Sequence, residues 1–293
     1  LGQKRWRTRV ADLADRKDSA ARTAGGDVLV DLGRAAAGAL IFALPMLMTM
    51  EMWSLGFTID RLRLLLLLAL TLPLLVGLAH FIGFEATFGW REDIRDALVA
   101  LVVGALASAG ILALFGVIEP GMPLDEIVGK VALQTVPASI GALLAASQLA
   151  GEEGSDERKG EQPTGYAGEL FFMAVGALFL SLNVAPTEEM VQIAYRIAPW
   201  QELLLALISL LGMHGFVYAV DFRGQEPRPE EAGFWLLFLR FSVVGYAIVL
   251  IISWYVLWSF GRLEGISLVE ALSTTIVLSF PGAIGAAGAR ILL

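Results

Sequence analysis

Ala39-Leu40-Ile41-Phe42-Ala43-Leu44-Pro45-Met46-Leu47-Met48-Thr49-Met50-Glu51-Met52 aligns without a gap with Ala177-Leu178-Phe179-Leu180-Ser181-Leu182-Asn183-Val184-Ala185-Pro186-Thr187-Glu188-Glu189-Met190. Each is an apolar run closed by Thr-x-Glu-Met, and the offset between them is 138 residues. The same offset puts the leucine run from Leu65 on that from Leu203, Gly77 on Gly215 and Phe84 on Phe222. Further along, an offset of 144 puts Gly121 on Gly265, Glu126 on Glu270, Pro137 on Pro281 and Gly141 on Gly285. The chain reads as one unit written twice.

Composition supplies the solvent. With 57% hydrophobic residues, 17% charged residues and a mean hydropathy of +0.70, the chain is far above the ~45–50% apolar share of soluble domains. It is a polytopic membrane protein. Cysteine is absent, which excludes disulfides, thiolate metal sites and cysteine nucleophiles and leaves the redox compartment unread. The net charge of -8 averages loops on opposite sides of a membrane and identifies no partner. Nothing in the sequence points to a nucleic acid or to a cofactor.

A helix needs about 20 mostly apolar residues to cross a bilayer, and eight such runs are present, near 34–55, 64–83, 95–118, 125–148, 168–190, 201–220, 233–260 and 268–290. Residues 1–33 form a basic cytoplasmic tail and amphipathic lead-in, either solvated or lying on anionic lipid. The tail has no short apolar core ending at small residues, so no cleavable signal is visible, and the missing initiator Met allows a start further upstream. Residues 34–150 hold the first four spans, 151–167 a flexible cytoplasmic linker and 168–293 the second four. An even number of spans per half makes both halves run in the same direction. The expected fold is therefore all-α, two parallel four-helix repeats related by a pseudo-two-fold axis along the membrane normal. Lys and Arg are in excess on the side of the N-terminus, which puts both termini in the cytoplasm.

The carboxylates that close the repeated runs are the candidates for chemistry. Glu51 and Glu189, with Glu188, sit at the far end of their spans, where a carboxylate either binds something or meets water at a helix end. With Thr49 and Thr187 they form a candidate cation site, and Glu126 and Glu270, at the starts of the fourth and eighth spans, form an outer ring. Pro45 and Pro186 free carbonyls that can join them. Ser267-Leu268-Val269-Glu270 also has the form of a capping box, a structural reason for Glu270. Pro137, Gly141, Pro281 and Gly285 mark kinks followed by small-residue faces, expected to pack the fourth and eighth spans against each other across the axis. Thr135 and Ser279, each two residues before its proline, are the polar groups expected to line a path if one runs between those helices. His80 and His214, in the second and sixth spans, can hold a haem, pigment or metal if they face each other, or serve as hydrogen-bonded structural residues.

Glu188-Glu189 followed by Arg196 and His214 loosely resembles the motifs of membrane proteases that process prenylated proteins. The glutamate-to-arginine spacing is too long and a third-motif histidine is missing. No Gly-x-Ser-x-Gly, phosphate loop, dinucleotide fingerprint or zinc motif occurs, so an enzyme is not expected. Residues 44–53, Phe84-Glu85-Ala86-Thr87-Phe88-Gly89-Trp90 and Pro120-Gly121-Met122-Pro123-Leu124-Asp125-Glu126 resemble a family of bacterial integral membrane proteins of unknown function. The resemblance covers the chain from about Gly33 and implies several spans in a bacterial inner membrane. It carries no functional residue. The reading is a channel or secondary transporter for a small cation or proton. The alternative is a non-catalytic scaffold or a subunit of a larger membrane complex, and a homo-oligomer fits either.

Overall fold

The computed structural model describes residues 30–82, 89–149, 165–219, 235 and 238–292. The basic tail, most of the linker, and Phe84 to Phe88 lie outside the described residues. The described chain is helical, with α1 at Val30–Leu47, α2 at Met50–Thr58, α3 at Arg61–Ile82, α4 at Trp90–Leu114 and α5 at Leu124–Leu149. After the linker come α6 at Tyr166–Val184, α7 at Glu188–Arg196 and α8 at Pro199–Ala219. A π-helical turn, Phe238–Val243, then leads into α9 at Val244–Ser259, and α10 covers Leu268–Leu292. On each side of the linker the order is long, short, long, long, long.

Among the described residues seven helices are long and apolar enough to cross a membrane, namely α1, α3, α4, α5, α6, α10 and the π turn with α9. Leu62, Leu65, Leu106 and Ile251 are exposed on such helices, which in water would be a liability and in lipid is a matched surface. α8 has 21 residues and opens on Trp200, Gln201 and Glu202 before its leucines begin.

Two of the expected spans are broken. The run at 34–55 stops at Leu47 and restarts as α2, because Thr49 takes an extended backbone, φ -100° and ψ 117°. The run at 168–190 stops at Val184 and restarts as α7 after Thr187, φ -70° and ψ 141°. Pro186 lacks the N–H that would have carried the helix on. Each break exposes carbonyls that lipid cannot satisfy. At the end of α1 the Met46 carbonyl accepts from Gln134 Nε2 at 3.1 Å and the Leu47 carbonyl from Trp53 Nε1 at 2.7 Å, while the Thr49 hydroxyl donates to the Pro45 carbonyl. At the end of α6 the Thr187 hydroxyl donates to the Val184 carbonyl at 2.8 Å and the Arg262 guanidinium donates to the Pro186 carbonyl.

The small-residue faces pack within each half, contrary to the expected crossing of α5 on α10. A Cβ added to Gly38 of α1 would meet Ala145 and the Gly141 carbonyl of α5. One added to Gly176 of α6 would meet the Gly285 carbonyl and Ala289 of α10. The reason is complementarity, since α1 and α6 carry the glycines that let a backbone approach to carbonyl contact. Pro137 and Pro281 lie one turn earlier, inside unbroken helices. The short helices close on the same partners, Gly56 of α2 on Gly129 of α5, and Ala194 of α7 on Ser273 of α10. Between the halves, Phe42 meets Phe179 with ring centroids 5.1 Å apart, and Phe81 meets Phe172, also at 5.1 Å. Arg63 of α3 pairs with Glu264 at 2.6 Å and donates to the Trp258 carbonyl at 3.0 Å.

Gly285→Ala should lower stability by about 1–3 kcal/mol, because its neighbours are backbone atoms that cannot yield. Gly288→Ala on the same helix meets open space and should be neutral or gain up to ~1 kcal/mol from helix propensity. Thermal unfolding of the two variants in detergent, expected to shift in opposite directions, checks the crossing.

Candidate functional site

The carboxylates singled out by the repeat all lie in first turns of helices. Glu51 is in the first turn of α2, Glu188 and Glu189 in that of α7, Glu126 in that of α5 and Glu270 in that of α10. A carboxylate there compensates the helix dipole and the free N–H groups, which accounts for a repeated Thr-x-Glu without a ligand. Glu188 and Glu189 are exposed, and Glu51 is partly so. Glu126 Oε1 pairs with Lys130 Nζ at 2.7 Å. Glu270 Oε2 accepts from the Ser267 N–H at 2.7 Å and its own N–H donates to the Ser267 hydroxyl at 3.3 Å, a complete capping box. Among the described residues no three His, Asp or Glu side chains gather as a metal site.

The histidines hold helix ends to their neighbours. His80 Nδ1 lies 2.9 Å from Oδ2 of the buried Asp93 at the start of α4, and its ring stacks on Trp90 with centroids 5.5 Å apart. His214 Nδ1 lies 2.8 Å from the Ser242 hydroxyl in the π turn. Both are hydrogen-bonded residues at helix junctions.

A different set of polar groups comes together along α8. At its start Glu202 Oε1 accepts from the Ser273 hydroxyl of α10 at 2.7 Å. Seven residues on, Ser209, 3% exposed, faces the Tyr246 hydroxyl of α9. That hydroxyl donates to Ser279 of α10 at 2.9 Å, and Ser279 donates onward to the Ile276 carbonyl. Five residues further, His214 meets Ser242, and both are buried. Glu202 and Ser209 fall at i and i+7, one face of the helix, whereas His214, at i+12, points about 120° away from Glu202 toward the π turn. From Glu202 to His214 the track covers about 18 Å at 1.5 Å per residue, most of the thickness of a bilayer core. The far end is closed by aromatic and cationic groups: the Tyr166 hydroxyl donates to the Arg240 carbonyl at 2.7 Å, and the Arg240 guanidinium lies 4.4 Å above the Tyr166 ring.

The first half has little of this. At the offset of 138, Glu202, Ser209 and His214 fall on Leu64, Thr71 and Val76, and at 144 Ser273 and Ser279 fall on Gly129 and Thr135. α4 carries no tyrosine. Thr71 and Thr135 donate to their own helix carbonyls, Leu67 and Val131. Of the track, sequence reading singled out His214 and Ser279 and missed Glu202, Ser209, Tyr246, Ser242 and Ser273. The signal available was partial, Glu202, His214 and Ser273 standing where the aligned first-half positions are Leu64, Val76 and Gly129.

A model of the family described as "Putative integral membrane protein (DUF2391)" matches residues 31–293. The chain belongs to this family. The family is one of integral membrane proteins, and the match spans both halves of the fold and the whole polar track. No curated protein and no solved structure matches the chain.

Ser267→Ala should cost about 1 kcal/mol through loss of the α10 cap, and Glu270→Ala should also lower the unfolding midpoint. Neither should change the response of that midpoint to added cations. A cation-dependent stabilisation lost in Glu270→Ala would restore Glu270 as a ligand.

Proposed function

We propose that this family member is a membrane transport protein for the smallest cation, the proton, and that its path follows α8 through the second half. The observation that carries the reading is the Tyr246–Ser279 hydrogen bond beside the buried Ser209, midway between Glu202 at one end and His214 at the other. Polar side chains inside an apolar bundle are costly, and chains of Asp, Glu and His there mark proton relays. A hydroxyl both donates and accepts, so it can take a proton on a lone pair as it gives its own to the next acceptor, and rotation of Ser279 or Ser209 about its helix carbonyl then resets it for the next transfer. Intervals of about 7–10 Å between the levels exceed the reach of one bridging water, so the path requires a file of about two or three waters at each step.

The proposal revises the sequence expectation in one respect. Glu51, Glu188, Glu189, Glu126 and Glu270, with Thr49 and Thr187, become an acidic mouth that attracts cations instead of the central ligands. The architecture proposed with it has eight spans, α8 included, in two parallel halves about an axis along the membrane normal. The matched order of helices and the matched glycine contacts support it. The excess of Lys and Arg on the tail and linker supports both termini in the cytoplasm of a bacterial inner membrane. No enzymatic step is part of this reading, and a homo-oligomer or complex partner is compatible with it.

In proteoliposomes carrying an internal pH dye and an imposed gradient, the wild type should conduct protons. Tyr246→Phe and Glu202→Gln should each reduce flux at least tenfold, on the order of 1.4 kcal/mol in the barrier, while Glu188→Gln with Glu189→Gln should keep it within about twofold. Wild-type silence, or full flux in Tyr246→Phe, would remove the proton path and leave the scaffold reading.

A further inference from the structure

Beyond the proton track, a groove between α2 and α5 carries a chemistry of its own. Trp53, Ser54, Phe57 and Thr58 present one face of α2 to it, and Glu126 and Lys130 of α5 complete its lining. The fold creates the groove by pressing α2 onto α5, where Gly129 meets the Gly56 carbonyl and Gly56 meets the Lys130 backbone. Such an approach is open only to residues without a side chain.

The charges in the groove are unequal in what they offer. The Lys130 side chain is 10% exposed, and its ammonium has three partners for three N–H groups: Glu126 Oε1 at 2.7 Å, the Val117 carbonyl at 3.3 Å and Met122 Sδ at 3.7 Å. It has no donor left for an anion. Glu126 is twice as exposed, at 21%, and Lys130 engages Oε1. The hydroxyls of Ser54 and Thr58 donate to the Glu51 and Ser54 carbonyls, so toward a ligand they are acceptors. Two aromatic rings, a carboxylate and two acceptor oxygens form a receptor for an ammonium group, through hydrogen bonds and cation–π attraction.

We propose that the groove binds a phospholipid with a primary ammonium headgroup, the ammonium at Glu126 and between Trp53 and Phe57, the acyl chains along the outer surface. The occupant is a lipid because of where the groove opens. α2 sits between the end of α1 and the start of α3, at a membrane boundary. Its rim residues Met50 and Phe57 are 70% and 57% exposed, and Leu62 and Leu65 of the following helix α3 are 75% and 62% exposed. Spending the lysine inside the protein leaves acceptors facing the groove, which selects against an anionic headgroup.

The test is thermal unfolding of the delipidated full chain in detergent, with phosphatidylethanolamine, phosphatidylcholine, phosphatidylglycerol or free ethanolamine added at matched concentration. Phosphatidylethanolamine should raise the midpoint by at least 4 °C, and the other three by less than 1 °C. The choline lipid tests the hydrogen bonds, the glycerol lipid the charge and free ethanolamine the need for acyl chains. Trp53→Ala and Glu126→Gln should each abolish the selective shift. Glu126→Gln leaves Lys130 short of a partner and can lower the starting midpoint, so Trp53→Ala and Phe57→Ala, which leave the ion pair intact, decide the case if it does. Equal shifts with all three lipids, a shift with ethanolamine alone, or a selective shift retained in Trp53→Ala and Phe57→Ala would overturn the proposal.

Discussion

The arrangement depends on two places where helix backbones touch, Gly38 on Gly141 and Gly176 on Gly285. Inside a bilayer there is no hydrophobic gain in bringing two apolar helices together, since lipid tails are as apolar as leucine. Association rests on close packing, many weak dispersion contacts summed over a tight fit. Small residues provide it. Once α1 lies against α5, Gln134 reaches the end of α1 and α2 comes down on Gly129. Once α6 lies against α10, α7 settles on Ser273 and α8 follows. Other contacts inherit their positions from these.

A second constraint explains the most regular motif in the chain. Breaking a helix near lipid strands carbonyls, and the chain breaks twice. Side chains supplied by the sequence just after each break, Trp53, Thr49 and Thr187, satisfy those carbonyls together with Gln134 and Arg262 from other helices. The glutamates that follow begin new helices, where a negative charge is favourable. Thr-x-Glu-Met is thus first a device for stopping one helix and starting another. Its repetition reflects repeated architecture, and architecture alone is reason enough for it.

The two halves differ in the polar groups they bury. In the first, the positions matched to the track are Leu64, Val76 and Gly129, with Thr71 and Thr135 bonded back to their own helix. In the second, the matched positions carry Glu202, Ser209, His214, Ser273 and Ser279, and α9 adds Tyr246. The π turn Phe238–Val243 stands where Ser242 meets His214, a departure from α geometry of the kind frequent at functional sites.

Hydropathy and glycine spacing by themselves determined that this is a multi-span helical membrane protein. Those properties are local: a run of leucines needs lipid whatever its neighbours do, and five of the expected runs, 64–83, 95–118, 125–148, 201–220 and 268–290, became helices with ends shifted by a few residues. The sequence also carried the capping box at Ser267, whose two bonds close within three residues. What the tertiary structure decided was partnership. Sequence identity shows that Gly141 matches Gly285 and cannot show that each packs instead on a glycine of its own half, since that depends on the paths of four helices. The α8 track was hidden for the same reason. Ser209, Tyr246 and Ser279 are ordinary residues scattered over three helices, and only the crossing of those helices brings their oxygens together.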